Sequence, residues 1–154
     1  MALKKPLVLT NGEIEQLQST DTIAQVEAIQ QTNGEAGSIV IGMPVYVSAA
    51  DTVKKAKADA VGTTPVIGLV ADVSITTAVA GGIQMDGILA ATTAQWDAVA
   101  GTSGGLTFNT KYYLSNATAG NLTSTPPTTG FVQRVGIALS TTELLIQLKQ
   151  CYKL

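Results

Sequence analysis

Histidine is missing from this chain of 154 residues, and cysteine occurs once, as Cys151. The first absence removes the commonest general base and the commonest metal ligand together. The second rules out any disulfide within the chain. Charge is scarce as well: 13% of residues are Asp, Glu, Lys or Arg, against about 25% in an ordinary globular domain. No apolar run approaches the roughly 20 residues that a membrane-spanning helix needs. The opening "MALKKPLVLTNGE" has only Leu7, Val8 and Leu9 before polar residues, too short a core for a signal peptide, so no secretion is expected. A net charge of −2 and a pI near 4.9 exclude a sequence-independent nucleic-acid binder, which needs a surplus of lysine and arginine.

Threonine, alanine and 15 glycines carry the composition instead. Many β-branched residues with little charge suit short strands and tight turns, and do not suit a disordered chain. At this length one domain is expected, burying roughly 70% of the surface its unfolded chain exposes. Residues 36–154 read as a single β-rich domain, preceded by an arm or hairpin over residues 1–35.

Two stretches share one shape. "VYVSAADT" around Tyr46 sits over "YYLSNATA" around Tyr113 at an offset of 67, and Gly68 sits over Gly136 at an offset of 68. Each stretch reads as strand, polar loop and a second strand with a glycine at its middle, followed by a further apolar run. This suggests pseudo-repeats at about 42–90 and 105–150. Coincidence of two similar hairpins remains the alternative. Alternation along a strand means that Tyr112, Tyr113 and Leu114 cannot all face one core, as in a strand covered on both faces. Gly68 and Gly136 interrupt β-branched runs, which implies bulges or close backbone approaches.

One helix is expected. "TTAQWDAVAG" offers Thr92 as N-cap with Gln95 three residues on, and Gly101 for the left-handed C-terminal position. Trp96 and Val99 share a face and anchor that helix. Upstream, Asn11-Gly12 between apolar residues is a strong hairpin signal. The following stretch, with Ile23, Val26 and Ile29 three apart, is compatible with a helical turn, a strand or an extended arm. A lone two-stranded hairpin is marginal, so this region needs a surface to lie on, in the same chain or a neighbour.

Catalytic patterns fail on inspection. Gly101 to Gly105 satisfies G-x-S-x-G, but that motif works between a strand and a helix with a histidine at hand; here a helix precedes it and no histidine exists. The acids Asp51, Asp59, Asp72 and Asp86 are scattered, which offers neither an oxygen-ligand metal loop nor a glycosidase pair in sequence. "KKAK", Lys54 to Lys57, reads as a solvated face. Asn116 and Asn121 begin glycosylation sequons, which matter only in a secretory pathway. No catalytic, cofactor-binding or metal-binding residue is assigned, no cofactor is expected, and the chain is read as no enzyme. Between Ala98 and Thr142 the only charged residues are Lys111 and Arg134. Soluble monomers use charge against self-association, so this tract points to a surface covered in an assembly.

The segments "KKPLVLTNGEIEQLQSTDTI", "TTAQWDAVAG" and, most specifically, "GLTFNTKYYLSNATAGNLTSTPPTTGFVQRVGIALSTTELLIQL" resemble structural proteins of tailed bacteriophages. The family includes small capsid decoration (cement) proteins, and related segments occur in tail-fibre proteins. That family often has Pro-Gly where this chain has Phe108-Asn109-Thr110; Asn109 can adopt the left-handed conformation such a turn needs. The resemblance implies a mainly β fold, a compact β-sandwich or barrel-like (β-tulip-like) domain with one short α-helix and an N-terminal arm. It implies a virion component on the outer surface of the capsid head, binding the major capsid protein and itself, a trimer ahead of a dimer, with neither nucleic acid nor membrane as partner. A tail-fibre or head-fibre role in host attachment is the alternative. The expected contact residues are Lys4, Lys5, Pro6, Leu7, Val8, Leu9, Ile14 and Leu17 in the arm, with Tyr46 and Tyr113 in core packing or at the subunit interface.

Overall fold

β-Branched and aromatic runs separated by glycine and polar turns do form strands throughout. The computed structural model describes residues 28–154 in full, and the strands β1 (Leu7–Thr10) and β2 (Glu13–Gln16) as backbone. These two pair antiparallel, Leu9 opposite Ile14, across the two-residue Asn11-Gly12 connection. In the body the order is β3 (Ala28–Asn33), β4 (Ile39–Val40), β5 (Pro44–Ala49), β6 (Thr52–Lys55), β7 (Gly68–Val70), β8 (Ser74–Ile75) and β9 (Ala80–Gln84). Then come β10 (Gly87–Ala90), α1 (Thr93–Ala100), β11 (Lys111–Leu114), β12 (Leu122–Thr123), β13 (Phe131–Val132), β14 (Arg134–Ala138), β15 (Glu143–Ile146) and β16 (Tyr152–Lys153). The fold is mainly β, with a closed barrel and one α-helix among the described residues.

The barrel runs β3-β6-β5-β7-β9 and closes back on β3. The second sheet runs β10-β15-β14-β11-β12, which is the same order opened between its first and third strands. The registers agree as well. Val45 pairs with Gly68, and Tyr112 with Gly136. Val70 pairs with Ile83, which pairs with Ile29; Ala138 pairs with Leu144, which pairs with Leu89. Two units of one topology therefore stand side by side, spanning 28–84 and 87–146. The first begins upstream of the expected start near 42, because Ala28–Asn33 is a barrel strand and not part of an arm reaching residue 35.

Gly68 and Gly136 hold the same place in both units for the same steric reason. A Cβ on Gly68 would lie 2.5 Å from the Gln84 carbonyl oxygen, and one on Gly136 2.5 Å from that of Leu145. Both are close backbone approaches, and a register shift beside Gly136, between Tyr112 and Tyr113, adds a bulge in the second unit.

Closure separates the units. Thr32 and Asn33, at the end of β3, pair in parallel with Thr52 and Val53 and shut the barrel. Registers carried round the second unit set Thr92 in the place of Thr32. There the chain turns into α1, which lies against β12 across the gap. The capping box is complete: the Gln95 N–H donates to the Thr92 hydroxyl, the Thr92 N–H donates to Oε1 of Gln95 at 2.8 Å, and Gly101 ends the helix with φ of 63°. Trp96 and Val99 are fully buried; the indole ring lies over Gly42 and its N–H donates to the Thr142 carbonyl at 2.9 Å.

Two apolar clusters follow from this plan. Val45, Val53, Val70 and Ile83 form the barrel's cluster, and Ile39 and Ile75, paired between β4 and β8, belong to it. A larger cluster joins Leu69, Val66 and Ile41 of the first unit to Trp96, Tyr112 and Leu144 of the second. Backbone bonds tie the seam: Gly120 N–H to Ala56 C=O at 2.8 Å, Ala58 N–H to Ser115 C=O at 2.9 Å, Phe131 N–H to Ala58 C=O at 2.9 Å. The buried Gln133 amide accepts from Val66 N–H and donates to Val66 C=O, imitating one more rung of ladder.

Candidate functional site

Polar chemistry was sought first among the described residues. No cluster of three or more His, Cys, Asp or Glu forms there, and no helix is long and apolar enough to cross a membrane. The placed carboxylates are spread singly over backbone and side-chain partners. Asp72 accepts from the Gly82 N–H at 2.9 Å, and Asp59 pairs with Lys57 at 2.8 Å, which accounts for one lysine of "KKAK". The side-chain bond from Lys57 holds the Asp59 carboxyl below the usual range.

Asp97 organises the glycine-rich loop. Its carboxylate accepts from the N–H groups of Gly105 and Gly104 at 2.8 and 3.0 Å and from the Thr102 hydroxyl at 2.9 Å. Those bonds, Gly105 foremost, lower its pKa. The G-x-S-x-G stretch is thus a stapled turn after a helix, with Ser103 exposed to solvent.

Two of the surface clefts among the described residues bear polar groups. One, of about 390 Å³, is lined by Val61, Pro65, Phe131, Gln133, Lys149 and Cys151. Gln133 has both amide atoms committed to Val66, and burial pushes the Cys151 thiol pKa up, so the sulfur stays a protonated, weak nucleophile. The other, of about 260 Å³, lies among Ser115, Asn116, Thr125 and Pro126. In it the Asn116 amide is turned onto Thr129, at 3.3 Å from the carbonyl and 3.4 Å from the hydroxyl.

The outer face of the second sheet is a different kind of surface. In β14, Val135 and Ala138 point into the core while Arg134 and Ile137 point out; in β11, Tyr112 and Leu114 are buried and Lys111 and Tyr113 face the other way. Register aligns Ile88, Leu145 and Ile137 in one row across three strands, with Lys111 at its end. Ile88 is 51% exposed, and Phe108, held at the tip of the neighbouring turn by Asn109 with φ of 57°, is 72% exposed. Beside the row, Arg134 stands opposite Tyr113. Its Nη2 donates to Gln147 Oε1 at 3.3 Å, while its Nε is buried without an acceptor among the described residues. A buried donor left unmade costs roughly 1–3 kcal/mol, so this side chain is short of one acceptor. No carboxylate pairs with Lys111 or Arg134 among the described residues.

Of the expected contact residues, Lys4, Lys5, Pro6 and Leu17 lie outside the described residues. Leu7, Val8, Leu9 and Ile14 are described only as positions in β1 and β2. Tyr46 is half-buried and packs against the larger core, which makes it a packing residue. Tyr113 is half-buried on the outer face, and Tyr112, whose hydroxyl accepts from the Thr107 N–H at 3.0 Å, is the wholly buried member of the pair. Sequence reasoning did not single out Arg134, Ile137, Leu145 or Ile88. Strict alternation along "RVGIA" would set Arg134 and Ile137, three residues apart, on opposite faces; the register shift against Tyr112 and Tyr113 brings them onto one.

No protein-family model, no curated protein and no solved structure matches the chain.

Proposed function

We propose that this chain is a structural component of a tailed-bacteriophage virion, a capsid decoration protein that binds the outside of the head and bridges subunits of the major capsid protein. The observation carrying the reading is the outer face of the second sheet: an apolar row of Ile88, Leu145 and Ile137, the last of them in the charge-poor tract, beside an arginine whose buried Nε lacks an acceptor among the described residues. Such a face gains free energy by being covered. A body fastened by two apolar clusters and a backbone seam suits passive bridging, since a stiff module loses little entropy on docking. The resemblance of "GLTFNTKYYLSNATAGNLTS" and its continuation to decoration proteins supports the same assignment.

In this reading the partners are the major capsid protein and further copies of the chain, a trimer ahead of a dimer. Symmetry repeats each modest contact over the shell. The arm from Lys4 to Leu9 with Ile14 and Leu17 adds a second contact, to shell or neighbour. Imaging virions labelled for this protein tests the location. Signal over the whole head lattice is the expected result; signal confined to the tail would transfer the chain to a fibre. Glycan turnover by the purified chain would replace a structural role with an enzymatic one.

A further inference from the structure

β10 is the first strand of its sheet, and one of its edges is unpaired among the described residues. The direction of each backbone group follows from the ladder. Ala91 N–H donates to Thr142 C=O at 2.9 Å, and antiparallel residues alternate between bonded and outward positions. Leu89 and Gly87 therefore bond to β15, while Ile88 and Ala90 turn their N–H and C=O groups to the free edge. Both residues are exposed. Exposed edges are ordinarily blunted by lysine, proline, a bulge or a covering segment. Gly87–Ala90 carries none of the first three.

β1 and β2 pair with each other alone among the described residues; we propose that this N-terminal hairpin seats along the β10 edge of the same chain and extends the second sheet. Three observations select that occupant. β1, β2 and β10 are each four residues long, so the ladders match end to end. The chain enters the body at Ala28, which pairs with Gln84, and Gln84 is three residues before β10 begins. Between Gln16 and Ala28 lie 11 residues, a reach of up to about 37 Å when extended. A tether of that length supplies an effective concentration on the order of millimolar. Pairing of two free β10 edges from separate copies would bury far less than the roughly 1,000 Å² that untethered partners need. The hairpin also gains, since two strands alone are marginal and a sheet edge completes them. This inference does not rest on the capsid reading.

Amide hydrogen exchange of the full chain, read residue by residue and without any particle, tests it. Exchange at Ile88 and Ala90 is expected to be within about tenfold of that at Leu89 and independent of protein concentration. Leu9→Pro removes a strand N–H, and deletion of residues 1–20 removes the hairpin. Either is expected to raise the Ile88-to-Leu89 exchange ratio about tenfold or more. Using the ratio cancels any general loosening of the sheet. The proposal is overturned if Ile88 and Ala90 exchange like exposed loop amides in the full chain, or if both variants leave the ratio unchanged. Protection that grows with concentration would assign the edge to a second copy and overturn it equally.

Discussion

The barrel and the second sheet are built on one strand order, and they differ in how the third strand finds the first. In the barrel, Thr32 and Asn33 at the end of β3 reach β6 directly, Thr32 while still paired with Ala80 of β9. In the second sheet the same point is Thr92, where the chain caps a helix instead, and Trp96 with Val99 plugs what the strands leave open. The consequence appears on the outside. Leu69 of the barrel faces the second unit and is fully buried, whereas its counterpart Ile137 looks outward and is only half-buried. One topology thus gives an inward-docked unit and a unit with an uncovered face. The uncovered one carries the candidate interaction surface.

The sharpest way to break this comparison is Trp96→Ala. If α1 stands in for strand closure, loss of the indole should destabilise the chain by about 3–5 kcal/mol in denaturant unfolding. A loss near 1 kcal/mol would mean that the second sheet holds without its plug. Next come the paired glycines. Gly68→Ala and Gly136→Ala each push a methyl against a partner carbonyl, and each should cost about 1–3 kcal/mol. Values within about 1 kcal/mol of one another would sharpen the equivalence of the units, and a harmless substitution at either site would break it.

Thr92→Ala removes a side-chain cap and should cost about 1 kcal/mol. Thr32→Ala, where the closing bond is the Thr32 backbone N–H to Asp51 C=O at 2.8 Å, should cost about 0.5 kcal/mol or less. The smallest effect belongs to acid. Asp97 has a lowered pKa in the folded chain, so its contribution is complete above the ordinary carboxylate value of about 4 and is lost as pH falls through the lowered value. Asp97→Asn should therefore flatten the stability-versus-pH curve below that point and leave it unchanged in shape near neutrality, as unfolding titrations would read.

Local signals were readable in the sequence because they act within a few residues. Thr92, Gln95 and Gly101 define a helix by capping alone, Asn11-Gly12 defines a hairpin, and Asn109 takes the left-handed turn. Gly68 and Gly136 were readable too, since a glycine amid β-branched residues needs a steric reason. Barrel closure was not, because it depends on a parallel pairing between segments about 20 residues apart. That is also why Ala28–Asn33, with Ile29 and Gln30 exposed and Gln31 only half-buried, looked like arm. The candidate surface was half readable. The scarcity of charge raised the expectation of a covered surface, but placing Ile88, Leu145 and Ile137 in one row takes the register of three strands.

Incubating the purified chain with phage heads stripped of it, then sedimenting, measures whether this uncovered surface is made for a shell. The account predicts that the chain pellets with the heads and saturates at a fixed ratio to the major capsid protein. A chain that stays in the supernatant as a solitary folded monomer, at concentrations well above those of the heads, would contradict it.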